Sequence, residues 1–157
     1  MISLTKLRPM HIRDLFWVLQ IENACFPSPW PKEEFVTELT NNRFAHYFVA
    51  ICDKKIVGFI GLWLIFEEAH ITTIAVLPAY QKMGIGKSLL NFEEMLAKGA
   101  KCTKMILEVR VSNETARQFY INSGFKHNRI KKNYYTHNHE DAYEMLKEIA
   151  DEAHSGD

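Results

Sequence analysis

Paired cysteines, long apolar runs, an excess of one charge and glycine- or proline-rich tracts are all missing from this chain, and each absence excludes a class of protein. The three cysteines, Cys25, Cys52 and Cys102, are odd in number and widely spaced, with no CxxC pair, so neither a disulfide framework nor a zinc site is indicated. They read as small core or near-surface residues. The longest apolar run, Ile56 to Phe66, carries Gly58 and Gly61 and falls far short of the roughly 20 residues a membrane helix needs. It reads as buried strand. Lys plus Arg and Asp plus Glu both number 19, which leaves no long-range field to draw the chain to nucleic acid. Met1 to Arg13 lacks the apolar stretch and cleavage site of a signal peptide, so a cytoplasmic protein is expected. Without a linker, a repeat or a low-complexity segment, one domain over residues 1–149 followed by a polar tail over 150–157 is expected.

What is present suits a globular fold: 47% of the residues are apolar and 24% charged, enough for a continuous core in 157 residues. Ile12, Leu15, Phe16 and Leu19 recur at three and four, which predicts an amphipathic helix from Pro9 to about Ala24. The Phe26 to Pro31 segment breaks it, and Pro31 opens a second short helix with Glu33 and Glu34 near its positive end and Phe35 and Leu39 inward. Ala45–Cys52, Lys55–Phe66 and Ala69–Val76 read as an antiparallel meander, with Asp53-Lys54 as the tight turn. A helix from Ile85 stops at Gly99, and Met105–Val111 is a further strand. A strand, a crossover helix and a strand make the last meander strand and the Met105 strand parallel neighbours. Asn113 caps a helix through Ser123, Gly124 suits its left-handed end, and Lys126–Leu146 holds two strands around a polar loop. The fold class is α/β, α+β in order: a mixed sheet flanked by helices and parallel at its centre.

The stretch Gln81-Lys82-Met83-Gly84-Ile85-Gly86-Lys87-Ser88 carries the most chemistry, because a strand feeds it and a helix leaves it. Glycine lets the backbone approach a ligand, successive N–H groups point into the loop, and the helix N-terminus favours an anion such as pyrophosphate. A P-loop needs Gly where Gln81 stands, and a Rossmann fingerprint needs Gly where Leu89 stands, so both fail. The remaining pattern, Q-x-x-G-x-G, resembles the acetyl-CoA pyrophosphate loop of the GNAT superfamily of N-acetyltransferases.

Three more blocks extend the resemblance over roughly Leu7 to Met145. They are Leu107-Glu108-Val109-Arg110-x-Ser112-Asn113 with Ala116, Phe119-Tyr120 and Gly124-Phe125; Asn133-Tyr134-Tyr135 with Glu140-Asp141-Ala142; and Phe26-Pro27-x-Pro29-Trp30. Together they resemble the bacterial ribosomal-protein-alanine N-acetyltransferase branch. The loop Thr136-His137-Asn138-His139 departs from that branch, which carries a Gly and a basic residue there, and this puts the accepted peptide in question.

The resemblance implies acetyl-CoA as co-substrate and the N-terminus of a protein, a ribosomal one, as acceptor, with no direct nucleic-acid or membrane partner. It implies a parallel strand pair splayed at the cofactor, with pantetheine along Ile74, Ala75 and Val76 and an oxyanion met by a backbone N–H near Val76. Gln81, Lys82, Met83, Gly84, Ile85, Gly86 and Lys87 would cradle the pyrophosphate, and Asn113 would touch the cofactor. Glu108 would be the general base, acting through a water, and Tyr120 the general acid that protonates the sulfur. Phe26, Trp30, Tyr134 and Tyr135 would wall the acceptor cleft. His137 and His139 have the spacing of metal ligands without a third ligand, so no metal is expected. Two alternatives remain open. One is acetylation of a small amine such as a polyamine or antibiotic, for which Glu33, Glu34, Glu67 and Glu68 would supply an acidic cleft; the other is a CoA-binding module without catalysis.

Overall fold

The computed structural model describes residues 6–149, so the expected tail at 150–157 lies outside the described residues. In chain order the elements are β1 (Lys6–Pro9), α1 (Leu15–Cys25), α2 (Lys32–Thr40), β2 (Ala45–Cys52), β3 (Lys55–Ile65) and β4 (Glu68–Val76). They continue as α3 (Ile85–Gly99), β5 (Lys104–Arg110), α4 (Glu114–Asn122), β6 (Lys126–Lys131) and β7 (Ala142–Glu148). The strands form a seven-stranded mixed sheet in the order β1-β2-β3-β4-β5-β7-β6. Contacts divide the described residues into two compact units, one of residues 6–64 with Ile71–Glu93 and one of Ile65–His70 with residues 94–149.

In the first unit, Asp53 and Lys54 both take positive φ, 51° and 66°, as a two-residue turn between antiparallel strands requires. β1 was not expected. Lys6–Pro9 pairs antiparallel with Phe48–Ile51, and the Arg8 guanidinium forks onto Asp14 at 2.7 and 2.9 Å while Asp14 also accepts from the His11 N–H. The chain therefore turns at Ile12–Asp14 and α1 starts at Leu15, later than its apolar spacing predicts. Its inward face is Leu15, Val18 and Ile21, whereas Phe16 is 64% exposed and stacks edge-on against Trp17. Phe35 of α2 is buried as expected and meets the rings of Phe59 and Tyr47 edge-on at 5.7 and 6.4 Å, the aromatic centre of this unit's core.

The second unit opens with the parallel ladder that the strand–helix–strand order predicts: Glu68–His70 of β4 against Lys104–Ile106 of β5. Along β5, Met105, Leu107 and Val109 are buried, so Ile106, Glu108 and Arg110 share the opposite face. β7 pairs antiparallel with β5 over its full length and sets Glu144 directly opposite Glu108. The Asn113 side chain accepts from the Ala116 N–H at 3.1 Å and caps α4, and Gly124 ends it with φ at 98°.

Candidate active site

The glycine loop in the first unit has the geometry of an anion cradle. Pro78 ends β4 in a single turn of 3-10 helix, Lys82 and Gly84 take φ of 63° and 86°, and the Ser88 N–H reaching Gly84 O at 3.0 Å begins α3. The N–H groups of the first helical turn have no acceptor within the helix, so they are available to an anion. Ile85, Leu89 and Leu90 are buried and anchor the turn, while Lys82, Met83 and Lys87 stay exposed. A Cβ built on Gly84 would meet nothing within 4 Å, which leaves room for a ligand against the backbone. These residues fit a pyrophosphate. Gln81 behaves differently: its side-chain amide donates to Val76 O at 2.9 Å, the same carbonyl that the Cys25 thiol reaches at 3.3 Å. Gln81 thus ties the loop to the end of β4 through its side chain.

The Phe26 to Trp30 segment is built on one buried acid. Glu22 of α1 accepts from the Trp30 N–H at 2.9 Å, its other oxygen has no partner among the described residues, and burial pushes its carboxyl up to about 7. The Trp30 ring packs 5.4 Å from Phe35. With Trp63, Glu33, Glu34, Thr37 and Glu38 it lines an open groove.

The second unit gathers a cluster around Glu108, whose side chain is 6% exposed. Glu108 Oε1 accepts from His70 Nε2 at 2.7 Å and from the Tyr134 hydroxyl at 3.4 Å, and Oε2 accepts from Lys131 Nζ at 2.8 Å. Burial alone would raise this carboxyl; hydrogen bonds from His70 and Lys131 and the neighbouring positive charge outweigh it and hold it at about 2. Glu108 is therefore an ionised acceptor with both oxygens engaged.

Tyr120 lies on the inner face of α4, buried between Phe119 and Phe125, and burial followed by the nearby Tyr135 pushes its hydroxyl well above the ordinary range. It keeps its proton at neutral pH. Tyr135 carries the Arg110 guanidinium on its face at 4.0 Å and Tyr134 against its edge at 5.0 Å. Arg110 and the Ser112 N–H also hold Glu140, so the loop at 136–139 is tied back to the end of β5. Asn113, expected at the cofactor, spends its side-chain oxygen on the α4 cap.

Residues 18–125 match the acetyltransferase (GNAT) family. The chain belongs to that family. Its fold, a seven-stranded mixed sheet with one parallel pair, agrees with the crystal structure of the ribosomal-protein-S18-alanine N-acetyltransferase from Escherichia coli, at a TM-score of 0.85 and 28% identity over 94% of this chain and 96% of that one. A Bacillus subtilis relative, named as a candidate ribosomal protein bS18-alanine N-acetyltransferase, is 40% identical over 138 residues, 88% of this chain and 91% of its own. The Escherichia coli K12 ribosomal protein bS18-alanine N-acetyltransferase is 32% identical over 141 residues, 87% of this chain and 93% of its own. As a GNAT acetyltransferase, the chain is an acetyl-CoA-dependent enzyme.

Three residues that the structure brings into these clusters were not singled out from the sequence: His70, Lys131 and Glu22. The signal for His70 was the inferred β4–β5 pairing, but only the register His70↔Ile106 sets His70 on the face of Glu108. Lys131 reads as a solvated basic residue until β6 pairs with β7 and turns it toward Glu108 and Glu144.

Proposed function

We propose that this acetyltransferase transfers the acetyl group of acetyl-CoA to the N-terminal α-amino group of a protein, a ribosomal one, in the cytoplasm. The observation that carries the reading is the part-buried His70–Glu108 pair, an imidazole on a carboxylate of the kind that removing a proton from an amine requires, in a chain whose relatives bear the name of ribosomal protein bS18-alanine N-acetyltransferases.

The bound thioester supplies an electrophilic carbonyl. Lys82–Lys87 would hold the pyrophosphate with backbone N–H groups, and the backbone of Ile74–Val76 would take the pantetheine arm. An α-ammonium titrates near ~8, so the base needs to draw off one proton from a group already near neutrality. A carboxylate as weakly basic as Glu108 does this poorly by itself. In this reading the imidazole of His70 takes the proton, through a water, and Glu108 stabilises the imidazolium that forms. Tyr120, still protonated at neutral pH, donates to the departing sulfur. Tyr134, whose hydroxyl reaches Glu108, and Tyr135 beside it contact the acceptor.

The small-amine reading has one observation in its favour, the presence of Glu33, Glu34 and Glu38 in the groove between Trp30 and Trp63. Glu68, one of the two further acids it would draw on, is instead paired with Lys104 at 3.2 Å. Acetyl transfer read as mass gain across peptides with free or blocked N-termini, polyamines and aminoglycosides separates the two. Gain on free-N-terminus peptides is expected; gain on polyamines or aminoglycosides alone would replace the reading with the small-amine one. No gain on any of them, with acetyl-CoA bound, would leave a binding module.

A further inference from the structure

We infer that Lys131 is a positioning residue that makes this enzyme selective for α-amino over ε-amino groups. The inference rests on the reading that the His70–Glu108 pair removes the acceptor's proton. Glu108 and Glu144 are directly opposite on paired strands, and both side chains are at most 8% exposed. Two neighbouring buried carboxylates repel each other and would leave the centre strongly anionic. The Lys131 ammonium stands between them, 2.8 Å from Glu108 Oε2 and 3.5 Å from Glu144 Oε1. The groups that face Glu108 include His70 from β4 and Tyr134 on Oε1, Lys131 from β6 on Oε2, Glu144 opposite on β7, itself held by Arg129 and Asn128, and Tyr135, whose hydroxyl feels the Glu108 charge.

The consequence lies in which amines the centre can use. With Lys131 on Oε2 and His70 and Tyr134 on Oε1, both oxygens of Glu108 already accept hydrogen bonds, and the Lys131 charge offsets the pull of the two carboxylates on an incoming ammonium. An acceptor must reach the centre with its proton already loosely held. An α-amino group, titrating near ~8, meets that condition at neutral pH, whereas a lysine side chain near ~10.4 does not. Lys131 thus fixes the carboxylate rotamer for His70 and at the same time excludes the ε-amines that share the acceptor's chemistry. Its own ammonium is secured: burial would lower its proton affinity, but Glu108 and Glu144 together raise it.

The test uses the full chain with two peptides, one with a free N-terminus and no lysine, the other N-terminally blocked with one internal lysine. Rates are read over pH 6 to 9.5 by mass gain, for wild type, Lys131→Met, Lys131→Gln and Lys131→Arg, with thermal unfolding as the check on folding. Wild type is expected to acetylate the free N-terminus. Lys131→Met or Lys131→Gln, whichever folds, raises the ε-to-α rate ratio on the order of tenfold and shifts the pH profile, and Lys131→Arg restores both. An unchanged ratio and profile in a folded neutral variant would overturn the inference, and so would a Lys131→Arg enzyme that behaves like the neutral ones, since shape rather than charge would then be acting. A wild type that acetylates neither peptide defeats the underlying reading instead, a result separate from either of these.

Discussion

In the proposed mechanism Glu108 and Tyr120 have different tasks at the level of single side chains, and the two substitutions are expected to differ. Glu108→Gln keeps the shape but removes the charge that orients His70, so kcat for a free-N-terminus peptide should fall by about 10²–10⁴. Tyr120→Phe leaves the packing between Phe119 and Phe125 intact and removes only the proton donor; because a thiolate leaves well unaided, its loss should be smaller, on the order of tenfold, read in the same assay. Glu93 tests burial rather than catalysis. It is fully buried in α3, neither oxygen has a partner among the described residues, and burial pushes its carboxyl well above the ordinary value. The folded protein therefore keeps a proton that the unfolded chain releases. Its contribution is favourable below pH ~4.5 and is lost as pH rises toward the folded value. Urea unfolding of wild type and Glu93→Leu should show the variant more stable at neutral pH by about 1–3 kcal/mol, with the gap widening from pH 5 to pH 8; a gap independent of pH would refute the buried-proton account.

The loop before α3 shows which elements could be read in advance. A side chain at Gly84 must adopt φ near 86° without any steric clash, so Gly84→Ala should cost only about 1–2 kcal/mol of stability while weakening acetyl-CoA binding, measured by calorimetry on the same protein. Equal binding by the variant would remove this loop from the cofactor site. The loop was legible because its signals are local: a proline ends the strand, glycines shape the turn and an apolar period of three and four begins the helix. β2, the Asp53-Lys54 turn and α3 followed from equally local rules, and their bounds agree with the expected ones. β1 was not legible. Four residues with little apolar alternation become a strand only because β2 offers an edge, and the Arg8–Asp14 fork then delays α1. The face of α1 was misjudged for a related reason, since Phe16 and Trp17 cover one another rather than the core.

For the whole molecule, the acetyltransferase identity was carried by four ordered blocks, each of which alone has an ordinary structural explanation. Glu108 and Tyr120 stood out in those blocks; His70 and Lys131 did not, because their placement beside Glu108 depends on register across β4–β5 and β6–β7, a property of pairing that no local pattern specifies. Asn113 and Gln81 sit in the expected blocks, where the Asn113 side-chain oxygen makes the expected helix cap and the Gln81 amide donates to Val76 O. Net neutrality has its own consequence: with no long-range field from the chain, the acetylation rate on a basic peptide should change little with ionic strength beyond the screening of local contacts, a dependence that a salt series would read directly. The most direct measurement takes ribosomal proteins from cells lacking this enzyme, incubates them with the purified chain and acetyl-CoA, and maps the acetylated atoms by tandem mass spectrometry. The account predicts new acetyl groups on the α-nitrogen of the first residue of a ribosomal protein and none on lysine side chains; acetylation confined to lysines, or absent from every ribosomal protein, would contradict it.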